Sequence, residues 1–409
     1  MATALLPTLL FAAQHSPPPF SWRTVPVFAE TSNVSGPFDS AALDVLQKFP
    51  LFVAEKAYDY AAPGFAEDKL ARLAAQLRER NPAIFLVFYY NANLDMDDYR
   101  INALSAAAAP TWWLRNASGV PFVAPVDSGL GAEPPFPYAR NELGGLHVWD
   151  HTLPAVREAW VQVNAATHTR RLSPAGLRFH TGGAVWQECL NVTRFGGFDG
   201  CMVDRWRRTP FKHPLPPGYT AESVARWVAA MNASEQMLVQ RTREAKIWLV
   251  GEGDQVDAHS DPGYGGGCIG KKEGASAETS LLAQLQLARQ GQGLLASYHP
   301  AGPNPADPAE AAAAFQSQLA SFLIGAGERH YFGAGSWTCN ATSREGVTWH
   351  DEYDRPLGAP LGLAEKGGDG VWRRSFSAGT NVSFDSRTGL GTIRWGASAR
   401  KTDGHNITP

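Results

Sequence analysis

The stretch GFDGCMVDRW, residues 197–206, reads as a buried strand that runs directly into Asp204, Arg205 and Trp206. A second apolar stretch, WLVGEG from 248 to 253, ends on Glu252. Side chains alternate faces along a strand, so Asp204 shares a face with Met202, and Glu252 shares one with Trp248 and Val250. Asp199 has the opposite parity and reads as a structural aspartate at the strand entry. Two carboxylates at matching heights on adjacent strands suit cleavage of a glycosidic bond. One, held protonated, gives its proton to the leaving oxygen; the other, ionised, attacks the anomeric carbon or activates water.

Other apolar runs end in a similar way. Their termini carry Glu30, Glu55 with Lys56, Tyr89-Tyr90-Asn91, Trp149-Asp150, Tyr298-His299 and Ser336-Trp337. Asp150 is a third candidate carboxylate, though an aspartate placed just before a helix starting near Leu153 also serves as a cap. Arg205 beside Asp204, and Lys56 beside Glu55, are as compatible with rim salt bridges as with chemistry. Tyr89, Tyr90, Asn91, Trp149, Arg205, Trp206, Tyr298, His299, Trp337 and Glu55 form the expected substrate-contacting set, because sugar rings present C–H faces that stack on aromatic rings. His147 and His299 stand alone rather than in a ligand cluster, and no H-E-x-x-H occurs, so neither a catalytic metal nor a cofactor is expected. The GGGCIGKK stretch approaches a phosphate loop, but Lys272 stands where its hydroxyl residue belongs. The surrounding DPGYGGGCIG reads as a loop above the strand ends.

These residues need a scaffold that brings strand ends together. Eight strand candidates are found at 25–30, 51–56, 83–91, 145–150, 197–206, 246–253, 293–300 and 329–337, seven of them followed by a helical pattern. Strands alternating with helices make a parallel sheet, and eight such units close into a (β/α)8 TIM barrel, whose chemistry sits at the C-terminal strand ends. The rival is an open doubly wound sheet, but no G-x-G-x-x-G opens the first helix. Between the third and fourth candidates, TWWLRNASGVPFVAP reads as a hairpin turning at Ser118-Gly119. After Trp337 the pattern becomes two-residue alternation around Gly and Asn turns, a short C-terminal β-hairpin appendage. The expected organisation is a signal peptide over 1–20, a catalytic barrel over 21–345 and a β extension packed on it over 346–409.

A net charge of −3 offers no basic field for nucleic acid, and no apolar run reaches the roughly 20 residues of a membrane span. N-x-S/T sequons begin at Asn33, Asn116, Asn191, Asn232, Asn340, Asn381 and Asn406, half of all the asparagines. Chance would place roughly one in eight there, so N-linked glycans and passage through the secretory lumen are expected. The apolar MATALLPTLLFAAQ agrees, although it lacks a basic leader. In that compartment the four cysteines would be oxidised; four allow three pairings, among them Cys268–Cys339, which would link loops on one face, with Cys189–Cys201 as the local pair.

GFDGCMVDRW with its D-G-x-x-x-D ending, WLVGEG, WHDEYDRPLGAPLG and VWRRSFSAGTNV together resemble a family of glycoside-hydrolase-like TIM barrels, distantly similar to the endo-α-1,4-polygalactosaminidase group. The resemblance spans most of residues 50–395. It implies a catalytic role for Asp204, with Glu252 or Asp150 as partner. The expected activity is a secreted glycoside hydrolase acting on a polysaccharide or glycan. The alternatives are a silent carbohydrate-binding barrel and a non-glycosidic lyase or isomerase, the last requiring a metal cluster or a Schiff-base lysine, for which Lys56 is the only lysine at a strand end.

Overall fold

Three parallel strands in this chain are buried along their whole length, and that determines what surrounds them. In the computed structural model, β2 (Leu51–Ala54), β3 (Phe85–Asn91) and β6 (Gly200–Asp204) are buried at every residue. A strand covered on both faces is an unbroken apolar run, the signature of a parallel sheet flanked by helices. The structure describes residues 18–91, 93, 94, 96, 98, 99, 110–125, 145–161, 192, 193, 196–204, 215, 217–252, 264–268, 277–298, 307–334, 338, 339 and 347–396. These fall into two compact units.

The first unit runs from Phe28 to Gly267 and takes in Gly335–Val347. It contains β1 (Ala29–Asn33), α1 (Ser40–Leu46), β2, α2 (Ala66–Arg80), β3, a hairpin of β4 (Val123–Pro125) and β5 (Gly145–His147), α3 (Pro154–Val161), β6, α4 (Ala221–Glu244), β7 (Trp248–Glu252), β8 (from Tyr264) and β11 (Thr338–Cys339). Its parallel strands lie in the order β11-β1-β2-β3-β6-β7-β8. Local signals start the helices. Asp39 caps α1 by accepting from the Ala42 N–H at 2.8 Å. Thr220 and Ser223 form a reciprocal capping box on α4, each hydroxyl accepting from the other residue's backbone N–H, so two donors left open at the helix start are satisfied. Pro154 occupies the first position of α3, where its missing N–H costs nothing.

The strand set departs from expectation in two places. Residues 145–150 do not join the parallel sheet: β5 pairs antiparallel with β4, and Val148 and Trp149 bridge antiparallel to Leu94 and Trp113. The glycine-rich 264–268 stretch, expected as a loop, is instead β8, parallel to β7 through Gly251–Gly265 and Glu252–Gly266 pairs. The expected hairpin at 118–119 is present, with Gly119 at φ +78° and Arg115 bridging Pro121.

The second unit comprises Phe20–Val27, Cys268–Ala334 and the chain from Thr348. In it β9 (Gly293–Tyr298) and β10 (His330–Ala334) pair in parallel, and Val27 forms a parallel bridge to Phe332. Pro26 cannot donate to a ladder, but its carbonyl accepts from Phe332 N–H at 2.8 Å. The helices are α5 (Ala277–Arg289) and α6 (Pro308–Gly325), the latter capped by Asp307 with Pro308 at its start. The C-terminal part is a four-stranded antiparallel sheet of β12 (Glu365–Lys366), β13 (Val371–Ser375), β14 (Asn381–Asp385) and β15 (Leu390–Arg394). It shares this unit with β9, β10 and α6. The family-like motifs of the tail have structural roles here. Arg374 donates to the carbonyls of Leu323, Ile324 and Ala326 at the end of α6, and to Gly362. Gly358 sits at φ +75° directly against Ser377 and Ala378, where a side chain has no room.

None of the described helices is long and apolar enough to cross a membrane.

Candidate active site

Register places the acids. Along β3 and β6 the Cα partners are Val87–Gly200, Tyr89–Met202 and Asn91–Asp204. Along β6 and β7 they run from Gly200–Trp248 to Val203–Gly251, so one further step sets Asp204 beside Glu252. On this sheet face Phe85 and Trp248 meet edge to face at 5.4 Å near the strand starts. Gly200 lies between their strands because a Cβ there would come within 2.5 Å of the Trp248 carbonyl. Val87, Met202 and Val250 follow, and polar groups appear only at the C-terminal ends.

Asp204 is only 8% exposed and is fastened from β3. Its Oδ2 accepts a short hydrogen bond from the Tyr89 hydroxyl and another from Asn91 Nδ2 at 3.0 Å. Two donors on one carboxylate oxygen favour the anion. The Asn91 amide is itself oriented, since its Oδ1 accepts from the N–H groups of Asn93 and Leu94, both at 3.0 Å. Tyr99 donates to the Tyr89 carbonyl at 2.9 Å and steadies the same strand end.

At the end of β2, Glu55 is 3% exposed. Its Oε2 accepts from Lys56 twice, from the backbone N–H at 3.1 Å and from Nζ at 2.9 Å. Burial pushes the Glu55 carboxyl above the usual range while the Lys56 ammonium pulls against it. For Lys56 burial acts against the charge, but Glu55 and then Asp204 outweigh it and hold the ammonium above the ordinary lysine value. Lys56 Nζ also lies 3.9 Å from the Tyr89 ring centroid.

The structure therefore brings Asp204, Tyr89, Asn91 and Glu55 together, and adds Lys56, Asn93 and Tyr99, which were absent from the expected set. Lys56 was visible in sequence as the lysine of a strand end; Asn93 and Tyr99 act from the segment after β3, where no periodicity points to them. Tyr90 is a correction. It has the opposite parity from Tyr89, and its fully buried ring packs 4.4 Å from that of Tyr99. Trp149 is another: its side chain is buried, its carbonyl takes the Trp227 indole N–H at 3.1 Å, and no ring face is left for a sugar. Asp150 lies on neither a parallel strand nor its end. Its Oδ1 accepts from Thr152 N–H at 3.0 Å and Thr152 Oγ1 at 2.6 Å, a turn that leads into α3. Burial, followed by the Asp150 charge, pushes the nearby Tyr219 phenol up to about 12.

Asp199, by contrast, faces α2: its Oδ2 accepts from Leu86 N–H at 2.7 Å and from Arg78 at 2.5 Å. Cys201 is buried on that same parity; Cys189, its expected partner, lies outside the described residues. Arg205, Trp206, His299 and Trp337 also lie outside them. For Glu252 and Tyr298 the backbone is described, at the ends of β7 and β9, and the side chains are not.

A search of curated proteins finds no match. Among solved structures, the chain is similar to the GH36 alpha-galactosidase AgaA from Geobacillus stearothermophilus at 13% identity and a TM-score of 0.39, over 88% of this chain and 47% of that one. The chain thus spans about half the length of that enzyme. It is also similar to a Nostoc punctiforme debranching enzyme, at 12% identity, TM-score 0.42 and 91% of both chains. A cyclic alpha-maltosyl-(1→6)-maltose hydrolase from Arthrobacter globiformis matches at 11% identity and TM-score 0.41, over 91% of this chain and 87% of that one. Likenesses this distant carry no weight for mechanism. In the family comparison, residues 184–380, the stretch that holds Asp204, Glu252 and the Arg374 motif, match the model of hypothetical glycosyl hydrolase family 15.

Proposed function

We propose that the protein is a glycoside hydrolase acting on a carbohydrate substrate, with Asp204 as the ionised carboxylate and Glu252 as the proton donor. The observation that carries this reading is the Asp204 carboxylate itself. It is buried at a strand end, its Oδ2 is fastened by Tyr89 and Asn91, and the β6–β7 register runs toward Glu252 on the neighbouring strand. Glu252 protonates the glycosidic oxygen as the C–O bond breaks. Asp204 either attacks the anomeric carbon or takes a proton from the attacking water. Carboxyl groups about 5–5.5 Å apart favour the first, with retention; roughly 6.5–9.5 Å favours the second, with inversion.

The sequon density supports a secreted or lumenal glycoprotein, and Asn116 sits in an exposed turn suited to an N-linked glycan. The test is a screen of chromogenic glycosides and glycans with wild type, Asp204→Asn and Glu252→Gln. Turnover by wild type that both substitutions abolish, in proteins that still fold, is the expected result. Glycan binding without turnover in all three would overturn hydrolysis in favour of a binding protein.

A further inference from the structure

Lys56 has no assigned task in the chemistry above, yet its surroundings are specific. Its ammonium faces Glu55 from its own strand, Asp204 from β6 and Asp98 from the segment after β3. It also sits 3.9 Å over the ring of Tyr89, the residue whose hydroxyl donates to Asp204. If the lysine served only stability, this would be a poor arrangement, because two buried charges lose about as much in desolvation as they regain in attraction.

We propose that Lys56 is a positioning residue that acts on Asp204 through Tyr89. A cation held against the π face draws electron density from the ring, and this makes the phenol O–H a stronger donor to the carboxylate. Lys56, Tyr89 and Asp204 then form a line from β2 across β3 to β6, with Glu55 holding the ammonium over the ring and Asn91 supplying the second donor. The consequence is an Asp204 anion steadied by a charge that does not touch it. This inference rests on the reading of Asp204 as the reactive carboxylate.

The experiment compares Lys56→Met, Lys56→Arg, Tyr89→Phe and the Met/Phe double variant on the best substrate of the screen. Lys56→Met should lower kcat about 30-fold, the effect of losing a desolvated cation–π contact, with KM within about twofold. The acid limb of the kcat/KM profile should move to higher pH. Lys56→Arg, whose cation also stacks on aromatic rings, should recover most of the loss. The double variant should be no slower than Tyr89→Phe alone, because the lysine acts through that ring. Losses that multiply, or full activity in Lys56→Met, would overturn the proposal; if Lys56→Met does not fold, Lys56→Gln takes its place.

A readout that needs no substrate separates this proposal from the functional one. With 13Cζ-labelled tyrosine, the Tyr89 resonance is assigned by its loss in Tyr89→Phe. It should move toward the free-phenol position in Lys56→Met, and no movement would reject the coupling whatever the activity. If the resonance moves while wild type cleaves no glycoside, hydrolysis fails and the link between Lys56 and Tyr89 stands.

Discussion

Replacing Asp199 by alanine separates the two aspartates of the D-G-C-M-V-D stretch by their consequences. In wild type the Asp199 carboxylate accepts from the fully buried Leu86 N–H at 2.7 Å and from Arg78 at 2.5 Å. Removing it leaves the Leu86 N–H without an acceptor inside the sheet, which costs about 1–3 kcal/mol. The ion pair adds little: both side chains are about a third exposed, at 30% and 32%, and solvent-screened pairs contribute roughly 0–1 kcal/mol. The sum is about 2 kcal/mol, or a fall in Tm of about 4–8 °C at the 2–4 °C per kcal/mol of larger domains. Differential scanning calorimetry measures that fall, and turnover is assayed well below the transition. Asp199→Ala should keep near-normal activity there. Asp204→Asn should keep the wild-type Tm to within about 1 °C, as an isosteric change, yet lose about 10⁴-fold in kcat, the scale on which removal of a reacting side chain acts. An Asp199→Ala protein with an unchanged Tm and no turnover would refute the assignment of faces along β6, and with it the choice of Asp204.

Three more predictions concern the second unit. Arg374→Met strands the terminal carbonyls of α6 among apolar groups and should cost about 3–5 kcal/mol in urea unfolding, since the guanidinium serves Leu323, Ile324, Ala326 and Gly362. Gly358→Ala forces a Cβ onto Ser377 at φ +75° and should destabilise by about 1–3 kcal/mol in the same assay. His330 is buried with its Nε2 on the Gln292 carbonyl at 2.8 Å, and burial lowers its pKa to about 4. A base whose folded pKa is lowered binds its proton less readily when folded. Stability is therefore lost as pH falls from about 6.5 toward 4, by about 3 kcal/mol in all. His330→Gln, which keeps an N–H for the Gln292 carbonyl but no titrating group, should flatten that part of the pH–Tm curve. An identical slope in both proteins would contradict the account.

Much of this molecule follows from sequence period and end chemistry. Two-residue alternation alone separates Asp204 from Asp199, because a strand has only two faces; Tyr89 and Tyr90 were both expected at the substrate, and only the packing of Tyr90 on Tyr99 parts them. Asp39, Thr220, Pro154 and Asp307-Pro308 mark helix starts because their side chains satisfy, or do not need, the N–H groups a first turn leaves open. The polar C-terminal tips of apolar strands point to a site at that end of the sheet. Strand membership is different, since a strand is defined by its partner and not by its own composition. Residues 145–150 carry an apolar run, yet β4 and Leu94 offer them antiparallel edges and they leave the parallel sheet. The 264–268 run has three glycines between Tyr264 and Cys268 and gives no alternating hydrophobic signal, yet the backbone of β7 pairs with it. The stack of Lys56 on Tyr89 and the aim of the Asn91 amide were likewise decided in three dimensions: each joins groups that lie on different strands or are set by a backbone turn, and no local pattern in the chain records such a meeting.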